Sequence, residues 1–407
     1  MDGAALLEAI ALVENEMADD LAKSSTLFEP DNAVLAELGE RQNRLKFSVA
    51  KTRFATAPSY SHSLWLADMD CVPPSSLAAS VSSFMAGHFG YQDIDIRRDI
   101  TDYLKRGGTI IKPEFIVDIA SVVAGIALAL RTFCETGDKV MVVSPTYGPL
   151  YSAVTQNNMT PVSLFLSAEY SDIDDLDRFD PEARALVLCH PNNPTGSILS
   201  PKAQAALLAR CKRHNILVIS DEVHREFHFD QYDNRLPPVP LFGYGVGDCA
   251  HSNVISFCST SKAFNLAAIG GASYAIIANP SLRTRFIAAV DNEHLEAAPI
   301  SKIALQEAYR SHRCWQHEIV DCIGTNRAYA KRLLGLMKKE NTISLNSASY
   351  FLWLDLRQLF SGDILEACCR RGVIVGNGAH CHAPGFVRLS IACHPTVIKS
   401  ALLRLFY

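Results

Sequence analysis

The sequence lacks several features that would have narrowed its function at once. None of its twelve cysteines forms a C-x-x-C pair, and the only close pair is the adjacent Cys368 and Cys369. Zinc-type spacing is therefore absent, and scattered thiols read as reduced cysteines of a cytoplasmic protein. No run of Lys and Arg occurs and the formal net charge is −5, so no nucleic-acid surface is expected. No apolar stretch reaches the roughly 18 residues that a membrane-spanning helix needs. The opening MDGAALLEAIALVENEMADDL sets acids among its apolar residues, with no basic leader or small-residue cleavage site. It reads as neither a signal peptide nor a membrane anchor. Internal repeats and low-complexity segments are missing too, and a soluble intracellular protein is expected.

What remains is globular: 407 residues, 48% hydrophobic and 20% charged. That is more chain than one ordinary core, so a large and a small domain are expected. Residues 4–22 carry Leu6, Leu7, Ile10, Val13, Met17 and Leu21 at helical spacing. This helix should pack on a partner subunit or on the small domain. From Phe47 to Leu64 the chain is polar and irregular around Pro58 and reads as a connecting arm. Helices are predicted over Ser75–Ala86, with Ser75 or Ser76 as cap, and over Asp95–Arg106.

Between residues 115 and 277 the pattern alternates. Strand-like apolar runs fall at Phe115–Ile119, Lys139–Val143, Pro161–Leu166, Ala185–Cys189, Ile216–Ser220, Val254–Phe257 and Ala272–Ile277. Helical segments lie between them at Val123–Cys134, Leu150–Asn157 and Lys202–His214. Continuous apolar strands separated by amphipathic helices predict an α/β fold, with a mostly parallel seven-stranded sheet covered on both faces. Ligands of such sheets sit beyond the carboxyl ends of the strands. After about residue 290, helices at Ile300–Arg310 and Ile319–Lys339 lead to strands Tyr350–Leu356 and Phe386–Ile391. A helix at Gly362–Arg371 and a terminal helix complete a smaller α+β domain.

The chemically suggestive residues follow those strands. Lys262 comes after the strand Val254–Phe257, with Ser259 and Ser261 beside it. It is either a surface lysine or an amine joined as an imine to an aldehyde cofactor, which would relieve the cost of burying an ammonium. Ser121 to Gly125 is either an ordinary strand–helix joint, as most such joints are, or a helix start whose backbone N–H groups hold a phosphate. Tyr147, presented after Pro145, can stack on an aromatic ring or simply fill the core. The loop His190-Pro191-Asn192-Asn193-Pro194-Thr195-Gly196 either offers the amide of Asn193 to an oxyanion or is one of the common loops rich in Asn and Pro. Asp221, at the end of a buried strand, needs a cation; a protonated pyridine nitrogen is one and an arginine from elsewhere is another. His224 and His228 are spaced i,i+4, but on a strand-to-turn segment, which does not make a metal pair. Arg388, on an apolar strand, suits a carboxylate held by two parallel hydrogen bonds. His380-Cys381-His382 reads as flexible loop residues lining an entrance rather than as a metal site. Asp68 and Asp70, at the end of LWLADMD, are either paired acid–base groups or a strand end bonded to neighbouring backbone; spacing favours the second.

In that order, NPTG at Asn193–Gly196, DE at Asp221–Glu222, SxSK at Ser259–Lys262 and RLS at Arg388–Ser390 resemble the fold-type I pyridoxal-phosphate enzymes of the aspartate aminotransferase superfamily. The resemblance covers about residues 45–407. WLADMD at Trp65–Asp70, FGY at Phe89–Tyr91, DEVH at Asp221–His224 and SKAFN at Ser261–Asn265 are most similar to the MalY/PatB-like branch of cystathionine β-lyases, or C–S lyases. Position 270, an arginine in much of the superfamily, is Gly270 here, as in that branch.

The resemblance implies pyridoxal 5′-phosphate as cofactor. Residues 1–60 become a helical segment and arm, 61–290 the large cofactor-binding domain and 291–407 the small domain. Lys262 and Tyr147 are implied as catalytic, Lys262 carrying the cofactor and moving the substrate Cα proton. Asp221 would face the ring nitrogen, Asn193 and His224 the ring oxygen, and Tyr147 the ring face. Val123, Ala124, Ser259 and Ser261 would hold the phosphate, with Tyr91 reaching in from the second subunit of a homodimer. Arg388, Asn193 and Ala67 would contact the small amino-acid substrate. The implied reaction is β-elimination from an S-substituted cysteine to a thiol, pyruvate and ammonia. Transamination and a regulatory pyridoxal-phosphate-binding protein are the alternatives. Two stretches depart from the branch: Cys71 stands where an aromatic is expected, and His380–His382 replaces a more Gly/Phe-like approach to the arginine strand. Both lie where the substrate side chain is expected, which leaves cystathionine and a larger S-conjugate equally open.

Overall fold

Seven strands lie in one sheet of the computed structural model, in the order Ile116–Ile119, Ser273–Ile276, Val254–Ser259, Leu217–Asp221, Ala185–Cys189, Lys139–Ser144, Thr160–Phe165. All neighbours are parallel except Ser273–Ile276, which runs antiparallel to both of its partners. The structure describes residues 3–28, 44–54, 56–58, 61–87, 90–165, 179–244, 250–270 and 272–407. The mixed α/β architecture and the mostly parallel sheet are those expected from the alternating pattern.

The two-residue side-chain period of a strand explains why both faces are covered. Val140 and Val142 join the core that holds Ile126, Leu130 and Leu150, while Met141 and Val143 join the opposite core with Leu207 and Cys211. Each such side chain, fully withdrawn from water, contributes roughly 1.5–3 kcal/mol. Helix Val122–Phe133 starts where Ser121 accepts a hydrogen bond from the Ala124 N–H, and helix Pro201–Arg213 where Ser200 accepts from Ala203. The first of these lies so close to the sheet that a Cβ on Gly125 would come within 2.5 Å of Ile119 Cδ1.

Around the sheet, helix Pro299–Ser311 packs against Ser75–Met85 and Arg97–Arg106. The long helix Arg313–Leu336 packs against Pro395–Phe406. Strands Ile343–Ser344, Phe351–Asp355, Phe386–Ser390 and Gly376–Asn377 form an antiparallel sheet, and His62–Ser63 pairs in parallel with Val373–Ile374.

Four sequence readings change. The N-terminal helix is two helices, Gly3–Glu16 and Ala18–Leu27, both packed on Arg313–Leu336. The connecting arm begins with a helix, Leu45–Arg53, whose Phe47 and Ala50 are buried against Ile374. Pro74, not Ser75 or Ser76, occupies the N-cap before Ser75–Met85, and the Ser76 hydroxyl lies 3.2 Å from His312 Nε2 instead. Helix Pro280–Glu293, capped by Asn279, escaped the pattern because only Phe286 and Val290 on it are buried. Phe89, Leu166 and Gly271 lie outside the described residues.

Candidate active site

A cavity of about 450 Å³ opens at the carboxyl ends of the central strands. Lys262, Asp221, His224, Asn193, Tyr147, Val123, Ser261, Ala67 and Arg388 all line it. They come from residues separated by as many as 321 positions, from Ala67 to Arg388, and meet because the parallel strands end on one edge.

The lysine sits in the short helical turn Thr260–Ala263, whose first turn is capped by the Ser259 hydroxyl accepting from the Ser261 N–H at 3.0 Å. Its Nζ donates to the Ala67 carbonyl at 2.9 Å. Burial, reinforced by the positive charge of Arg388, lowers its amine to about 8, against the opposing pull of Asp68 and Asp221. At Asp221 burial raises the carboxyl to about 6, although the Val223 N–H donates to Oδ1 at 3.2 Å and Lys262 lies in the same field. Burial also holds the His224 ring well below its usual range, so it is neutral; its Nε2 has no partner and its Nδ1 lies 3.4 Å from the Ser349 hydroxyl.

Arg388 lies on strand Phe386–Ser390 between Trp353 and Gly376. Its Nη1 donates to Asn193 Oδ1 at 2.6 Å and Nη2 to the Trp65 carbonyl at 3.0 Å, while Nε is buried without a partner. The guanidinium sits 4.2 Å above the Phe351 ring. Asn193 is fixed by its own loop, in which the His190–Pro191 and Asn193–Pro194 bonds are cis. Gly196 closes that loop with φ +73°, where a Cβ would stand 2.2 Å from the Ala348 carbonyl oxygen.

Residues 65–70 form a strap across this site. The Asp70 N–H donates to the Ala392 carbonyl at 2.9 Å, as a strand end bonded to neighbouring backbone would, but the two carboxylates pair with cations: Arg44 Nη2 reaches both, at 2.7 and 2.9 Å, and Lys46 Nζ reaches Asp70 at 2.7 Å. Asn265 clasps the strap, accepting from the Met69 N–H at 3.3 Å and donating to its carbonyl at 3.0 Å. The strap thereby aims two carbonyls, of Trp65 and Ala67, at the arginine and the lysine. Sequence reading missed the roles of Arg44 and Asn265; Asn265 stands three residues after the lysine, in left-handed backbone at φ +54°.

Three expected site residues do not line the cavity. Ala124 gives its N–H to the Ser121 hydroxyl, so Ser121, Val122 and Val123 form the wall at that helix start. Ser259 is buried, its hydroxyl accepting from the Ser261 N–H. Tyr91 is fully exposed on the single chain. His380–His382 lies in a turn beside Arg388, held by the Thr146 N–H donating to the Cys381 carbonyl at 3.2 Å.

Among proteins of known sequence, the chain is 26% identical over 358 residues to cystathionine beta-lyase PatB of Bacillus subtilis, covering 84% of this chain and 91% of PatB. It is 28% identical over 367 residues to protein MalY of Escherichia coli, covering 86% and 87%. Among solved structures, cystalysin of Treponema denticola, which contains pyridoxal 5′-phosphate, superposes with a TM-score of 0.81 at 22% identity, over 90% of this chain and 95% of cystalysin. The aminotransferase class I and II family model matches residues 77–405, and the chain belongs to that family.

Proposed function

We propose that the protein is a pyridoxal 5′-phosphate-dependent C–S lyase, which splits the Cβ–S bond of an S-substituted cysteine and, with water, yields a thiol, pyruvate and ammonia. The observation that carries this reading is that a lowered amine, a raised carboxyl and a guanidinium, those of Lys262, Asp221 and Arg388, line one cavity. The relatives named cystathionine beta-lyase and C–S lyase support the same reaction.

The donor set fits the cofactor. Asp221 is a buried carboxyl short of a cation, and the unpartnered Nε2 of neutral His224 suits a ring oxygen, with the Asn193 amide beside it. The N–H groups of Val122 and Val123 in the first turn of Val122–Phe133, together with the Ser261 hydroxyl, would take the phosphate, while Ala124 and Ser259 serve as parts of the two helix caps behind it. Tyr147 would cover one ring face. When bound, the pyridine ring supplies a sink for the electron pair left at Cα.

The remaining work falls to this chain. Arg388, through the two hydrogen bonds that orient its fork, holds the substrate carboxylate, with Asn193 and Ala67 at its side. Lys262 Nζ, aimed by the Ala67 carbonyl and neutral in a large fraction just below pH 8, accepts the Cα proton. The Cβ–S bond then breaks, sulfur leaves with its electron pair, and the proton on Nζ is available to it.

The same reading takes the protein as a cytoplasmic homodimer, with Tyr91 of each chain reaching the phosphate site of the other. Its support is the full exposure of Tyr91 and the absence of a disulfide among the described cysteines. Among the described residues no helix is long and apolar enough to cross a membrane.

The test is product analysis with S-ethyl-cysteine. Equal amounts of ethanethiol and pyruvate are expected; a 2-oxo acid that keeps its thioether would overturn the assignment.

A further inference from the structure

A second cavity, of about 560 Å³, adjoins the first and shares Leu66, Tyr147 and Arg388 with it as common wall. A substrate whose carboxylate sits on Arg388 therefore has one large space open to its side chain. A cavity of about 150 Å³ takes a benzene molecule, so this one has room for more than one ring.

Its walls are built rather than loose. The Tyr151 and His382 rings lie 3.8 Å apart between centroids, at 35°. Tyr151 is carried by helix Gly148–Thr155, and the turn bearing His382 is pressed on the start of that helix, where a Cβ on Gly148 would come within 2.4 Å of the His380 carbonyl oxygen. Trp65 and Phe54, their ring centroids 6.1 Å apart, line it as well. Burial moves the His382 ring away from its charged form.

The charges matter as much as the rings. Among the described residues lining this cavity there is no carboxylate, and Arg388 is already committed to the substrate's own carboxylate. The distal end of cystathionine carries both an ammonium and a carboxylate; the first would find no carboxylate in this lining and the second no cation beyond the engaged Arg388, and unpaired charges drawn from water are costly. A flat, uncharged S-substituent meets none of that cost and finds the rings of Phe54, Trp65, Tyr147 and Tyr151 in the lining.

We propose that this compartment selects cysteine conjugates carrying a bulky, uncharged aromatic group on sulfur, in preference to cystathionine. This rests on the lyase reading for the reaction, but the recognition it describes can be measured without turnover. The probes are 3-(2-phenylethylthio)propanoate and 3-(ethylthio)propanoate, which keep the carboxylate and thioether but lack the amine. Calorimetric titration of the holoenzyme should give the aryl compound a Kd about tenfold or more lower than the ethyl compound. Tyr151→Ala and His382→Ala should each reduce that ratio by about fivefold. Equal affinities in the wild-type protein, or a ratio untouched by both substitutions, would overturn the compartment's role. In parallel, kcat/KM is compared for S-(2-phenylethyl)-cysteine and cystathionine, whose preference for cystathionine would also overturn it. Absence of thiol from every conjugate, with the aryl preference in binding intact, would instead defeat only the lyase assignment.

Discussion

At Asp221 and Lys262, burial opposes the charge that each group would carry in water, and both effects can be measured without substrate. The Asp221 carboxyl stands at about 6 in the folded chain, against an ordinary value of 3.8. The folded state therefore binds more protons between those values, and stability falls as pH rises across them, fully so above about 6. Asp221→Asn has no such titration. In cofactor-free protein it should melt with the wild type near pH 4 and be more stable by about 2–3 kcal/mol at pH 7.5, while losing cofactor affinity. Denaturant melts at the two pH values check this; an unchanged difference would refute the burial argument. For Lys262, acetylation of cofactor-free protein, followed by peptide mass spectrometry, should reach half its limiting rate near pH 8. A midpoint at the ordinary lysine value of 10.5 would mean an amine in water. Both residues were legible in the sequence, because each follows a buried strand and must answer for its charge. Arg44 was not, since nothing local in residues 44–46 signals a bond to Asp68 and Asp70 some two dozen positions on.

Among the elements, strands and helices between residues 115 and 277 fell within a few residues of the sequence reading, because parallel strands buried on both faces leave continuous apolar runs. The misses have a common cause. Helix Leu45–Arg53 and helix Pro280–Glu293 bury too few apolar positions to impose a period, and are stabilised by contacts the sequence does not display. The loop of Asn193 depends on Gly196 for its closure. Gly196→Ala should cost about 3 kcal/mol or more, from left-handed backbone and collision with Ala348, and should raise KM through Asn193 and Arg388. Urea titration and steady-state kinetics test the two parts together. The N-terminal helices supply a separate case: Ile10 is buried against the Arg313–Leu336 region, and Glu14 accepts hydrogen bonds from Tyr329 and Lys399, both at 2.7 Å. Ile10→Ala should therefore cost about 2–4 kcal/mol in stability. An effect within about 0.5 kcal/mol would place this segment outside the core.

At the scale of the whole molecule, the proposed homodimer would complete each site with Tyr91 of the other chain. Mixing Lys262→Ala with Tyr91→Ala subunits should restore activity that neither variant has alone, since one mixed site regains both side chains. No recovery after subunit exchange, with both variants dimeric, would contradict a shared site. The most direct test of the account is borohydride reduction of the holoenzyme followed by peptide mapping. It should fix one pyridoxyl group per chain on Lys262 with loss of the visible band; a group fixed on any other lysine, or on none, would contradict it.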